Sequence, residues 1–337
     1  MTTGLQWFAG STGPSSILLS DRIDYTIDID RSSLYEIGQG AEGRVFGFQN
    51  DPSIVYKEYH LTEGHPPDAG ALKRLIDLPK RWTAEEFSWI QDHTAWPQTA
   101  VFDGDILRGY LMRRIPDSFL RKHGVRNKPA EICCDWNYLS MRNRFLNNPN
   151  IFSEVPVPDT QNLLDLISSL ARTIEILHRH DVVIGDLSGR NLLWTDTPSW
   201  QVLLIDCDGF RVRGVTSVNH AKQTPDWEDP ALRSSVTTQS SDIYKLGLAA
   251  FRAIWAVSAD HPTSPLQASP ADVPNKIKDL ISQSVGDSPR LTAAEWAASL
   301  SSSPVAVPIM DEASERFSDK PSAGSERKRP TILMKNC

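Results

Sequence analysis

Cysteine is scarce in this 337-residue chain: four residues, of which only Cys133 and Cys134 are neighbours, with no CxxC spacing. That pattern offers neither a zinc ribbon nor a disulfide framework. Positive charge is in deficit as well, with 35 Lys plus Arg against 42 Asp plus Glu and a formal charge of −7. Phosphate-backbone affinity comes from clustered Lys and Arg, so nucleic acid is not an expected partner. Long apolar runs are missing too. The stretch from Leu246 to Val257 is interrupted by Arg252 and falls short of the roughly 18 residues of a membrane span, so none is expected. The opening MTTGLQWFAGSTGPSS has neither a basic segment nor a continuous apolar segment. No secretory signal is expected, and a reducing, cytoplasmic setting is the expected localisation.

What is present has the composition of a folded protein, 40% hydrophobic and 23% charged. The length allows two domains or one large bilobed unit. From Leu34 the chain reads LYEIGQGAEGRVFGF, turns at Asn50-Asp51-Pro52 and continues SIVYKEYH, which predicts two or three strands. Ala69 to Leu78 and Ala84 to Gln91 have helix-forming composition, and VFDGDILRGYLMRRI reads as strand, Asp103-Gly104 turn and strand. After Ile115 the pattern becomes mainly helical. Leu163, Leu166, Ile167, Leu170, Ile174 and Leu177 recur at helical spacing, as do Ile243, Leu246, Ala250, Phe251 and Ile254. NLLW and VLLID between them predict a small hairpin. From Ser301 the chain is rich in Ser, Pro and charge without periodicity, and a disordered tail is expected.

Three features carry chemistry. Gly38, Gly40 and Gly43 form GxGxxG, but the following RVFGF is a strand pattern, so this is a hairpin whose backbone amides can lie over phosphates while Val45 covers an adenine face. Lys57 follows 14 residues after Gly43, on the next strand, where it can reach phosphate oxygens. In HDVVIGDLSGRNLLW and LLIDCDGF, Asp186 and Asn191 are five residues apart and Asp206 comes fifteen later. Phosphoryl transfer needs such a set: a carboxylate beside the attacking hydroxyl, and hard oxygen ligands for Mg2+.

Over about residues 30 to 300 the chain resembles the protein-kinase-like superfamily. The glycine hairpin, strand lysine, catalytic loop, metal-binding Asp and SSDIYKLGLAAF helix occur in that family's order. The resemblance implies an α+β, bilobed kinase-like fold with a β-rich N-lobe and a helical C-lobe. It implies that Gly38, Gly40, Gly43 and Val45 cover ATP, that Lys57 contacts its phosphates, and that Met112, Arg113 and Ile115 lie at the adenine edge. Asp186 would be the catalytic base, Asn191 and Asp206 the Mg2+ ligands, and Asp242 a brace for the catalytic loop. GDLSGRNLL, IDCDGF and TPDWEDPAL are similar to bacterial kinases related to the helix-hairpin-helix kinase group, although that module is not found here. Some of those occur with phosphatases or von Willebrand A-type proteins, which are therefore possible partners beside a protein substrate.

The chain departs from the family pattern at several positions. Ile184-Gly185 replaces the His-Arg before the catalytic Asp, and Ser188 replaces the lysine two residues after it, with Arg190 as candidate substitute. Asp-Phe-Gly becomes Asp206-Cys207-Asp208, and Asp208 is either a further Mg2+ ligand or the cap of the turn at Gly209. Asp229-Pro230-Ala231 loses the carboxylate that would pair with Arg290, leaving Glu228 or Asp229 to do so. Asp68, Glu85 and Glu86 are candidates for the ion-pair partner of Lys57. The histidines His178 and His180 read as structural.

The expected organisation is an extension over 1–30, a kinase-like domain over 31–300 with its N-lobe ending near 115, and a tail over 301–337. The expected activity is an ATP- and Mg2+-dependent serine/threonine protein kinase that also phosphorylates itself, with Thr216, Ser217, Thr224, Ser318, Ser322, Ser325 and Thr331 as candidate sites. A pseudokinase binding module and a small-molecule phosphotransferase are the alternatives.

Overall fold

The computed structural model describes residues 29, 31–40, 42–61, 66–219, 223–232, 236–258, 272–286 and 289–300. The tail 301–337, with Ser318, Ser322, Ser325 and Thr331, and nearly all of the 1–30 extension lie outside the described residues. The architecture is α+β. Its first part is an antiparallel sheet built from β1 (Leu34–Gln39), β2 (Gly43–Phe48), β3 (Ile54–Tyr59), β4 (Thr99–Asp103) and β5 (Ile106–Arg113), in the order β1-β2-β3-β5-β4. Between β3 and β4 come α1 (Ala69–Asp77) and α2 (Ala84–His93). Asp68 caps α1 by accepting from the Ala71 amide, and Thr83 with Glu86 closes a capping box on α2.

Register lines up the residues of interest. Across the sheet, Gly38 faces Val45, Val45 faces Lys57, Lys57 faces Tyr110 and Tyr110 faces Ala100. Directly opposed residues project to the same face, so these form one row. Gly43 is required by close approach: a Cβ there would lie 2.2 Å from the Glu58 carbonyl oxygen. The expected turn at Asp103-Gly104 joins β4 to β5, with Gly104 at φ +59°.

The region beyond Ile115 is not uniformly helical. β6 (Leu120–Val125), β7 (Ala130–Cys133) and, after α3 (Trp136–Ser140) and α4 (Arg142–Leu146), β8 (Ile151–Ser153) form a second antiparallel sheet. LRKHGV lacks the strict apolar alternation that marks a half-buried strand, and for this reason the sequence pattern does not announce it. The helical expectation then holds. α5 (Thr160–Arg179) begins at a capping box of Asp159 and Asn162 and buries Leu163, Leu166, Ile167, Leu170, Ile174 and Leu177. Two short strands, β9 (Val182–Val183) and β12 (Arg211–Val212), pair around the expected hairpin of β10 (Leu192–Thr195) and β11 (Gln201–Leu204). α6 (Gln239–Trp255) is buried along most of its length, against α3, α5 and α7 (Asn275–Val285), and α8 (Ala293–Leu300) packs on α5.

One large apolar core runs from Leu72 and Leu75 of α1 through α5 and α6 to Ile277 and Ile281. A smaller cluster of Ala95, Phe119, Cys133, Leu193, Leu203 and Ile205 lies where the sheet meets the helical part, with Met112 and Ile115 packed against it. No described helix is long and apolar enough to cross a membrane.

Candidate functional site

β9 ends in a loop that carries Asp186 and Asn191 to one pocket, and β11 delivers Asp206 to the same pocket. Glu42, from the turn of the glycine hairpin, Ser217 and Asn219, from the segment after β12, and Arg211 and Thr237 also line it. The Asn191 side-chain amide donates to the Asp186 backbone carbonyl at 3.0 Å and to its carboxylate at 3.3 Å. That leaves the Asn191 side-chain carbonyl oxygen available. The other Asp186 carboxylate oxygen accepts from both the backbone N–H and the hydroxyl of Thr224, each at 2.9 Å.

The loop is held from beneath by α6. Asp242, fully buried, accepts from the Ile184 amide at 2.8 Å and the Gly185 amide at 2.9 Å, and His178 Nε2 lies 3.1 Å from the same carboxylate. Gly185 sits at φ +77°, a conformation that suits glycine. One turn along α6, the buried Lys245 ammonium donates to the Gly185 carbonyl at 2.5 Å. Burial pulls the Lys245 pKa below the ordinary lysine value, against the pull of Asp242 and Asp186.

Lys57 meets these acids from the sheet side. Its ammonium, almost fully buried, lies 2.8 Å from Asp208, 3.1 Å from Asp206 and 3.9 Å from Glu42. Burial alone would lower the lysine pKa, but Asp208 and then Asp206 outweigh it and push it up, so the ammonium stays charged. Tyr110 donates to the same Asp208 oxygen at 2.8 Å, and Asn219 to the other at 3.4 Å. Burial, reinforced by the Asp208 charge, holds the Tyr110 phenol well above its ordinary pKa.

The structure therefore brings Lys57, Asp186, Asn191 and Asp206 together. Asp208 neither lines the pocket nor caps the turn at Gly209: its carboxylate is buried against Lys57 and Tyr110. Arg190 is exposed and outside the pocket lining, and its charge acts on Asp135. Ser188 is fully buried. Gly38 and Gly43 lie within strands and Gly40 in the turn between, its amide donating to the Gly43 carbonyl at 2.8 Å. Val45 shares the row of Lys57, while Met112 and Arg113 close β5 and Ile115 follows on the junction cluster.

None of the three proposed acids pairs with Lys57. Asp68 is occupied by the α1 cap and by the Thr216 hydroxyl at 2.8 Å, Glu85 faces Arg172 at 3.5 Å, and Glu86 binds Thr83, Arg179 and His180. Arg290 does find Asp229, in a bidentate and almost fully buried pair. His178 and His180 are both satisfied by carboxylates, as expected of structural histidines.

Sequence reasoning did not single out Tyr110, Lys245 or Arg211. Lys245 carries a signal: it lies three residues after Asp242 on the same helix face. Tyr110 carries none, because its place opposite Lys57 depends on register. Among the described residues no group of three or more His, Cys, Asp and Glu side chains is arranged to hold a metal. The chain matches no protein-family model and no curated protein.

Proposed function

We propose that this chain is an ATP- and Mg2+-dependent protein kinase with a bilobed kinase-like fold, acting on Ser or Thr of a protein substrate. The observation that carries the reading is the meeting of Lys57 with Asp206 at 3.1 Å, from opposite parts of the molecule, beside a loop that holds Asp186 and Asn191 in one pocket. Residues 149 apart in sequence converge on the set that phosphoryl transfer requires.

The residues present fit a hard divalent cation. Asn191 gives its amide protons to Asp186, which leaves its carbonyl oxygen free, and Asp206 is half exposed in the pocket. Two protein oxygens suit Mg2+, which keeps waters and takes phosphate oxygens for its remaining positions. When bound, Mg2+ would neutralise charge on the transferring phosphoryl group. Lys57 places a second positive charge on the phosphates, and Asp186 orients the acceptor hydroxyl and takes its proton. Asp242 and Lys245 fix the loop backbone from below, which holds Asp186 at a set position.

The test is incubation with γ-labelled ATP and Mg2+, comparing the wild-type chain with Asp186→Asn. Label on protein that falls at least a thousandfold in the variant supports the reading. Label appearing only on added metabolites would redirect it to a small-molecule phosphotransferase. Nucleotide binding without any turnover would make the chain a binding module.

A further inference from the structure

Lys57 is a buried cation on a β-strand, and such a cation needs a fixed anion to hold its geometry. The acids of the neighbouring helices are engaged elsewhere: Asp68 with the α1 cap and Thr216, Asp77 with Lys80, Glu85 with Arg172, Glu86 with Thr83, Arg179 and His180, and Asp92 with Arg113. Asp206 does reach Lys57, but it is half exposed and belongs to the pocket. Of the remaining anions, Glu42 stands off at 3.9 Å in the pocket lining, and Asp208 is the nearest at 2.8 Å. It follows Asp206 by two residues, and the single turn Cys207–Gly209 brings both carboxylates to one ammonium.

Asp208 is built to stay where it is. It is fully buried, with one oxygen shared between Lys57 and the Tyr110 phenol at 2.8 Å each. Its other oxygen faces the Asn219 side-chain amide at 3.4 Å. Tyr110 stands opposite Lys57 across the β3–β5 pair, so strand register sets lysine and phenol side by side on the acid. We propose that Asp208 is the positioning residue for Lys57, doing from the Asp-Cys-Asp turn what a helix carboxylate would otherwise do. This rests on the kinase reading above. It also gives the second Asp of that turn a task other than metal binding.

The experiment measures kcat and KM for ATP with Asp208→Asn, Tyr110→Phe, Asp68→Asn and Glu85→Gln beside the wild type, each assayed well below its own unfolding midpoint. Asp208→Asn is expected to lower kcat about a hundredfold while KM changes less than threefold. That split marks misplacement of a transition-state contact rather than loss of folded protein. Tyr110→Phe, which keeps the carboxylate and removes one donor, should lower kcat three- to tenfold. Asp68→Asn and Glu85→Gln should stay within twofold of wild type. An Asp208→Asn enzyme within twofold of wild type, or a collapse of kcat in Asp68→Asn or Glu85→Gln, overturns the assignment while leaving the kinase reading intact. If Asp208→Asn does not fold, an unchanged kcat in Tyr110→Phe overturns it instead. No transfer by the wild type itself would remove the kinase reading, and this inference with it.

Discussion

The sheet and the helical part hold their site residues by different means. On the helical side, the loop bearing Asp186 is bound by partners from that same part, Asp242, Lys245 and Thr224, with His178 against the Asp242 carboxylate. On the sheet side, strand register aims Lys57, but the acids closest to it, Asp208 and Asp206, arrive from across the junction. The loop is thus preorganised by its own surroundings, whereas the lysine is positioned only when the two parts meet correctly. A defect in the helical part should cost stability and activity together, and a defect in the sheet can separate them.

The strongest way to break the helical side is Asp242→Ala. It strands two buried amides and removes the charge beside Lys245, and a loss of about 4 kcal/mol is expected by urea denaturation, with transfer abolished. The sheet counterpart is Gly43→Ala, where the new Cβ meets the Glu58 carbonyl and parts β2 from β3 at a cost of about 3 kcal/mol. An unchanged denaturation midpoint in either variant would contradict the corresponding bracing.

A pH test addresses the junction helix α2. Burial disfavours the Glu86 carboxylate, yet hydrogen bonds from Thr83, His180 and Arg179 prevail and lower its pKa from 4.5 to about 2. A depressed carboxyl stabilises the fold above its unfolded pKa and loses that contribution as pH falls through its folded value. Wild type should therefore exceed Glu86→Gln by about 2 kcal/mol at pH 7, with the gap closing between about pH 4.5 and 2. A gap independent of pH would sink this account. The smallest effect is expected from Asp68→Ala, which removes the α1 cap and should cost about 1 kcal/mol, while Asp68→Asn, itself a good cap, should cost much less.

Local chemistry made much of this legible in sequence. The glycine hairpin, the β4–β5 turn, the two long helices and the β10–β11 hairpin each have a nearby signal in periodicity or turn residues, whereas the brace at Asp242 is implied only by the kinase resemblance. The Arg290 partnership was legible down to two neighbouring acids, and Asp229 takes it. The partner of Lys57 was not legible. Choosing among Asp68, Glu85 and Glu86 presumed a helix acid, but Glu85 and Glu86 face α5, because α2 packs on α5 and β11 rather than under the sheet. The contact of Asp208 with Lys57 depends on a single turn pointing two acids at one ammonium, and the loop does not convert the sequence proximity of Arg190 to Asp186 into proximity to the pocket. The sheet of β6, β7 and β8 lacks the alternation that would announce it in sequence.

Between α2 and β4 the chain runs beside β11: Thr94 forms a parallel bridge with Leu204, and the Ala95 amide donates to the Leu204 carbonyl at 2.8 Å. Next to it the Ile205 amide donates to the Asn191 carbonyl at 3.0 Å, one residue before Asp206. Backbone bonds buried in this way exchange with solvent only when the structure around them opens. In hydrogen-exchange terms, the amides of Ala95 and Ile205 are expected to protect as one slow unit, although 110 positions separate them in the chain. An opening of the pocket faster than their exchange would leave this seam closed.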